Sequence, residues 1–121
     1  MVYDNSNIFA KILRGEVPCQ VVDEDDHTLS FEDINPQAPV HVLVIPKNPY
    51  VDWTDFTKRA SKEEIVKFTK AISRVAEKKN ISKTGYRIIS NIGLDGNQEV
   101  PHLHMHIIGG RPLGPLLESK K

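Results

Sequence analysis

Several things are scarce in these 121 residues, and each scarcity removes a class of protein. There is one cysteine, Cys19. It cannot close an intrachain disulfide, no C-x-x-C pair offers a redox or zinc motif, and it reads as a small buried hydrophobe. An excess of either charge is missing too, since 16 Lys and Arg balance 16 Asp and Glu. No net field therefore recommends nucleic acid or an anionic membrane surface as a partner. Basic residues gather between Lys58 and Lys83, but acidic ones interleave with them, as on a solvated helix face. No window approaches the ~20 apolar residues of a membrane span. The first seven residues lack the basic-then-apolar layout of a secretory leader, so a cytoplasmic protein is expected. No repeat and no Gly/Ser/Pro-rich linker divides the chain, and residues 1–121 read as one domain.

What is present comes in blocks. Apolar residues make up 39% of the chain, enough for one core over a small sheet. A short helix is predicted over residues 7–14: Asn5 or Ser6 can cap it, Ile8, Ile12 and Leu13 give an apolar face, and Gly15 stops it. Beyond Pro18, residues 20–24 read as extended, Asp25-Asp26-His27 as a turn, and the alternation over 28–32 as the second strand of a hairpin. Residues 35–39 form a rigid connector, because Pro36 and Pro39 fix their own φ and push their predecessors out of the helical region. Residues 41–45 are the most apolar strand, ended by Pro46 and Pro49. Residues 50–60 show no clear pattern and leave room for one helical turn. Ser61-Lys62-Glu63-Glu64 is a capping box that opens a long helix. Ile65, Phe68, Ile72, Val75 and Ala76 form its buried stripe, and Asn80 is its stop. Strands over 85–91 and 100–108 follow, joined by the loop 93–98. The pattern predicts an α+β fold: a mainly antiparallel five-stranded sheet with one long and one short helix, the long one packed on one face.

Three of the five histidines stand in five residues, His102-Leu103-His104-Met105-His106. On a strand, His102, His104 and His106 share one face while Leu103, Met105 and Ile107 face the core. Core packing does not call for that alternation. A histidine-rich outer face without a role is one reading, and zinc is another. The outer pair would have Cα atoms ~13 Å apart, whereas ligand nitrogens must all lie ~2.0–2.1 Å from one ion. His41 could add a ligand, but no Cys pair or H-E-x-x-H helix accompanies it. Catalysis by imidazoles acting as a set fits better. An unperturbed pKa of ~6.5 lets both protonation states coexist near neutrality. Phosphorus is the matching electrophile, because attack by a ring nitrogen gives an N–P intermediate that water opens in a second step. The loop 93–98 can turn backbone N–H groups toward phosphate oxygens, although Asp95-Gly96 is first of all a hairpin turn.

Continued through Ile107 and Ile108, the run has the form His-x-His-x-His-x-x with every x apolar, and so resembles the signature of the histidine triad (HIT) family. The likeness extends over residues 8–12, 31–39, 41–47, 86–91 and the bacterial-type segment 109–115. Within the family the chain looks most like the Hint branch, the histidine triad nucleotide-binding proteins. The resemblance implies a homodimer whose two protomers form a ten-stranded sheet. It implies a purine nucleoside phosphoramidase, hydrolysing AMP- or GMP-type phosphoramidates or acyl-AMP with no metal or other cofactor. His104 would be the nucleophile and form a nucleotidyl-histidine. His102 and His106 would orient it, bind the phosphate and assist proton transfer to the leaving amine, and His41 would complete the site. Asp33 would hold the ribose hydroxyls, while Ile8, Phe9, Phe31 and Ile34 form the purine slot. Asn91, Gln98 and Glu99 would line the phosphate side. Read as residues alone, the four apolar side chains serve equally well as core, and Asp33 as a cap on the proline-rich turn.

Two positions depart from the family pattern. Asn97 stands where many relatives carry glycine, and asparagine tolerates positive φ. Glu99 sets a carboxylate beside the phosphate, which leaves its role open. The polar ending Glu118-Ser119-Lys120-Lys121 is short in a region that shapes leaving-group preference in relatives. Two other functions compete. A sister branch hydrolyses dinucleoside polyphosphates but usually has Gln in place of the last triad histidine, so His106 argues against it. A non-catalytic nucleotide-binding or scaffold protein is the other, and the intact triad argues against that.

Overall fold

In the computed structural model, three helices and five strands run in the order α1 (Ile8–Leu13), β1 (Val21–Glu24), β2 (Thr28–Glu32), β3 (Val40–Pro46), α2 (Trp53–Arg59), α3 (Lys62–Lys78), β4 (Tyr86–Ile89) and β5 (Met105–Gly109). Residues 2–118 are described; Met1 and Ser119, Lys120 and Lys121 of the polar ending lie outside them. The strands form one sheet in the order β1-β2-β3-β5-β4, with every neighbouring pair antiparallel. The α+β class is as predicted. No helix among the described residues is long and apolar enough to cross a membrane.

β3 sits in the middle of the sheet and is buried on both faces, which is why it reads as a continuous apolar run. Val42 and Val44 join Phe68, Ala71, Ile72, Val75 and Ala76 of α3, together with Leu103, Met105 and Ile107, in the larger core. Each such side chain taken fully out of water contributes about 1.5–3 kcal/mol. Leu43 and Ile45 turn the other way, onto Phe9 of α1 and Leu29 and Phe31 of β2. His41 lies on this second face by the same alternation, and His106 joins it as the register partner of Leu43. The sheet thus separates a helix-covered face from a face that carries imidazoles.

Ser61 and Glu64 form the predicted capping box at the start of α3. Beyond its end, Asn80 turns the chain at φ +59°. Arg74 and Lys78 of α3 both bind the buried carboxylate of Asp23, at 2.7 and 2.6 Å, and Arg74 also binds Asp25. Part of the basic stretch therefore pins the β1–β2 hairpin to the helix. The Arg74 guanidinium holds the Asp23 carboxyl below the usual carboxylate range despite its burial.

Four expectations need correction. Asn7, not Asn5 or Ser6, caps α1: its side-chain oxygen accepts from Ala10 N–H at 2.9 Å, while Ser6 is spent on the Asp4 carboxylate. The stretch 50–60 holds a seven-residue helix, α2, capped by Asp52 and anchored by the fully buried Phe56. The helices therefore number three, not two. β4 is shorter than expected, ending at Ile89. β5 begins only at Met105. Pro101 has no N–H to give a ladder, His102 N–H turns back to Val100 C=O, and Leu103 N–H bonds Tyr50 C=O at 2.8 Å. Residues 100–104 are thereby tied to the connection after β3 instead of to the sheet.

Candidate active site

On the imidazole face a cavity of about 550 Å³ opens beside α1. Phe9 and Phe31 form its floor, edge to face with ring centroids 5.7 Å apart. Ile8 and Ile34 stand at its rim, 42% and 91% exposed. Cys19 lines the same apolar end, half-buried, and burial pushes its thiol pKa up. Asp33, Asn91, Asn97 and Glu99 supply polar walls, and His41, His104 and His106 supply the imidazoles.

Hydrogen bonds orient these rings one by one. Gln37 N–H donates to His41 Nδ1 at 3.0 Å, which places the His41 proton on Nε2. That nitrogen lies 2.9 Å from His106 Nδ1 and 3.3 Å from Asp33 Oδ2. With Nδ1 accepting from His41, the His106 proton sits on Nε2. His104 Nδ1–H donates to His102 C=O at 2.7 Å, and the lone pair of His104 is left on Nε2. Burial lowers the pKa of His104, while the His102 carbonyl and the Asp33 and Glu99 carboxylates pull it back up. His106 is pushed down to about 4 by burial, and then by the neighbouring His104 and His41. Burial lowers His41 as well, against the pull of Asp33. The outcome is a neutral ring with an available lone pair beside a second neutral ring carrying an N–H.

Not every expected residue lies in the cavity. His102 is fully buried outside it. Its Nε2–H donates to Pro46 C=O at 2.9 Å and its pKa falls to about 4 through burial. Strict alternation would have put it beside His104 and His106, but residues 100–104 are not a strand. Gln98 also turns away: its amide donates to Val51 C=O at 2.7 Å and its oxygen accepts from Gly93 N–H. The expected backbone cradle is partly spent, since Gly93, Asn97 and Gln98 N–H groups all bond within their own loop. Asn97 adopts φ +57°, a conformation that asparagine tolerates. Gly96 is required by close approach, because a Cβ there would lie 2.3 Å from Ile92 C=O.

The zinc reading also changes shape. With His102 withdrawn, the residues able to hold an ion are Asp33, His41 and His106, whose ligand atoms lie within 4.8 Å of one another. An ion there would have to break the His41–His106 hydrogen bond. A second such group, Asp26, His27 and Glu63, lies on the surface.

Comparison with known proteins agrees with this architecture. The HIT domain family matches residues 14–113. A 13.2 kDa HIT-like protein of Azospirillum brasilense is 56% identical over 115 residues, covering 95% of this chain and 94% of that protein. The purine nucleoside phosphoramidase of Escherichia coli is 42% identical over 113 residues, covering 93% and 94%. Among solved structures, a histidine triad protein from Clostridium difficile superposes with a TM-score of 0.82 at 40% identity, covering 94% of this chain and 98% of that one. The family match spans most of the chain and these relatives cover nearly all of it, so this chain belongs to the HIT domain family.

Proposed function

We propose that the chain is a hydrolase of purine nucleoside phosphoramidates. The observation that carries this reading is the His104 Nδ1–H bond to the His102 carbonyl, which commits the other ring nitrogen to be the nucleophile in a nucleotide-sized cavity. His104 Nε2 attacks the phosphorus of the nucleotide, and the phosphorus–nitrogen bond to the amine breaks. The leaving amine needs a proton, and the Nε2–H of His106 is the donor at hand. His41 Nε2–H holds the Nδ1 lone pair of His106 across their 2.9 Å hydrogen bond, and the proton that His106 gives to the amine is returned to it by the water of the second step. Water then attacks the nucleotidyl-histidine and frees His104. The positive charge on His104 in the intermediate is met by the His102 carbonyl and the Asp33 and Glu99 carboxylates. His102 acts by supplying that carbonyl. Asp33 takes the ribose diol, with Phe9, Phe31, Ile8 and Ile34 holding the base. Asn91 and Glu99 flank the phosphate, while Gln98 braces the loop that carries them.

A phosphoramidate is favoured over a dinucleoside polyphosphate because an amine leaves only when protonated, and His106 is an imidazole able to serve. The relative from E. coli, named a purine nucleoside phosphoramidase, supports the same choice. The deciding assay follows AMP release from a lysine-linked AMP phosphoramidate, with and without a chelator. Release is expected at the same rate in both. Intact substrate alongside measurable AMP binding would leave a nucleotide-binding protein in its place.

A homodimer is part of this proposal. The sheet has two edges of different character. β1 is protected by a bulge between Val21 and Asp23 and by its acidic residues. β4 has neither defence and leaves Ile88 49% exposed opposite the core residue Ile107. Pairing β4 with its copy would complete the ten-stranded sheet. Sedimentation equilibrium should give twice the chain mass, and a monomer at assay concentrations would refute it.

A further inference from the structure

Residues 2–13 precede the stretch matched to the family, yet one of their side chains reaches the imidazole behind the nucleophile. Tyr3 Oη lies 2.5 Å from His102 Nδ1, and the two rings meet edge to face with centroids 5.5 Å apart. The hydroxyl is itself held. Asn7 Nδ2–H donates to it at 2.9 Å and also to Asp4 C=O at 2.7 Å, while the Asn7 oxygen caps α1.

Each proton direction follows from its partners. His102 Nε2 faces a carbonyl, Pro46 C=O, which can only accept, so that nitrogen carries the hydrogen. His102 Nδ1 therefore presents a lone pair, and Tyr3 O–H must be the donor. Burial raises the phenol pKa and keeps that proton in place. His102 is thus gripped at both ring nitrogens, in full burial, and its own carbonyl grips His104 Nδ1–H. The chain Asn7–Tyr3–His102–His104 runs from the N-terminal segment to the reacting nitrogen. Tyr3 itself does not line the cavity.

We infer that Tyr3 is a positioning residue for the nucleophile: its hydroxyl seats the His102 imidazole and so aims the carbonyl that orients His104. This inference rests on the reading of His104 as the nucleophile. Without the hydroxyl, His102 Nδ1 becomes a buried acceptor with no partner. The ring relieves that by shifting, changing tautomer or admitting water, and any of these moves the carbonyl. A displacement of ~1 Å remote from the reacting atoms can cost ~100-fold in rate. Nucleotide binding is untouched, because the cavity wall is the same.

Tyr3→Phe removes one oxygen and keeps the ring contact. The expected result is a fall in kcat of about tenfold on the AMP phosphoramidate, within the range of such displacements, with KM and AMP affinity unchanged and a melting temperature lowered by only about a few degrees. A structural role alone would leave that kcat-against-KM split absent. Ring-nitrogen NMR gives a second readout independent of turnover. In the wild type, His102 should show a protonated Nε2 and a hydrogen-bonded Nδ1, and in Tyr3→Phe the Nδ1 resonance should move toward that of a free pyridine-type nitrogen. An active wild type with wild-type kcat in Tyr3→Phe overturns this inference alone, as does a raised KM at constant kcat. A wild type inactive on phosphoramidates overturns the parent reading and this one with it.

Discussion

His104→Ala should still bind AMP and should hydrolyse the AMP phosphoramidate at least ~10³-fold more slowly than the wild type, the scale seen when a nucleophile is deleted and only binding and electrostatics remain. The size follows from where the ring sits. His104 is the one cavity imidazole whose Nδ1–H is given to a backbone carbonyl, leaving a lone pair on the nitrogen available to substrate. His41 and His106 are bonded to each other, and the His41 Nδ1 is taken by Gln37 N–H. Neither can replace the lost nucleophile without breaking that pair. Alanine also leaves the apolar floor of Phe9 and Phe31 in place, so the loss should appear in kcat while AMP affinity stays near that of the wild type. Trapping gives an independent check: radiolabelled substrate quenched in base should leave nucleotide covalently on the wild type and none on the variant. Turnover of His104→Ala within tenfold of the wild type would move the nucleophile elsewhere.

Local rules served the sequence well where a single element decided its own structure. The Ser61–Glu64 capping box, the 28–32 strand and the stripe on α3 are each specified by residues within one or two turns of one another. So is the pairing of faces along β3, which puts His41 and Leu43 on one side and Val42 and Val44 on the other. Where distant partners decided, local rules failed. α2 has few apolar residues of its own and depends on Phe56 meeting Tyr50 and Phe68, at ring-centroid distances of 5.1 Å in both cases. The start of β5 is not legible locally, because apolar–polar alternation continues through residues 102–104 while Leu103 N–H bonds to Tyr50 and not to a strand.

The candidate site divides in the same way. Asp33, His41, His104, His106, Ile8, Phe9, Phe31, Ile34, Asn91 and Glu99 all line the cavity. His102 does not; its carbonyl holds His104 Nδ1–H and its ring meets Tyr3, 99 residues earlier in the chain. No spacing rule connects those two positions. The only local signal was Asn7, whose side chain serves both α1 and the Tyr3 hydroxyl. Gln98 teaches the complementary lesson: a polar residue beside a site reads as a ligand until the loop's own carbonyls claim it.

Acid should weaken the fold in a window set by the buried imidazoles. His102 and His106 have pKa values near 4 in the folded protein, below the ordinary 6.5, chiefly because burial disfavours their charged forms. Burial also lowers His41 and His104. An unfolded chain takes up these protons as pH falls through about 6.5, while the folded chain refuses them until about 4. The unfolded state therefore binds more protons across that interval, and stability falls as pH falls. Above the unfolded value the contribution is fully present. Two protons give a maximum slope of about 2.7 kcal/mol per pH unit, and the partial exposure of His106 places the real figure below it. The carboxylates belong to a lower window. Asp55 is held at about 2 by Arg59, and Glu64 falls to about 2 because its bonds to Ser61, Asn48 and Tyr50 outweigh burial. Their stabilisation is lost only as pH drops from near 4 toward 2. Urea unfolding measured from pH 7.5 to 4.5 should show stability level at the alkaline end and declining steadily below pH 6.5. A profile that stays flat to pH 4.5 would mean that these histidines take up protons in the folded protein as readily as in the unfolded chain. The Nδ1 atoms of His102 and His106 would then cease to be acceptors below about pH 6.5, and their burial as rings that refuse a proton until about pH 4 would be refuted.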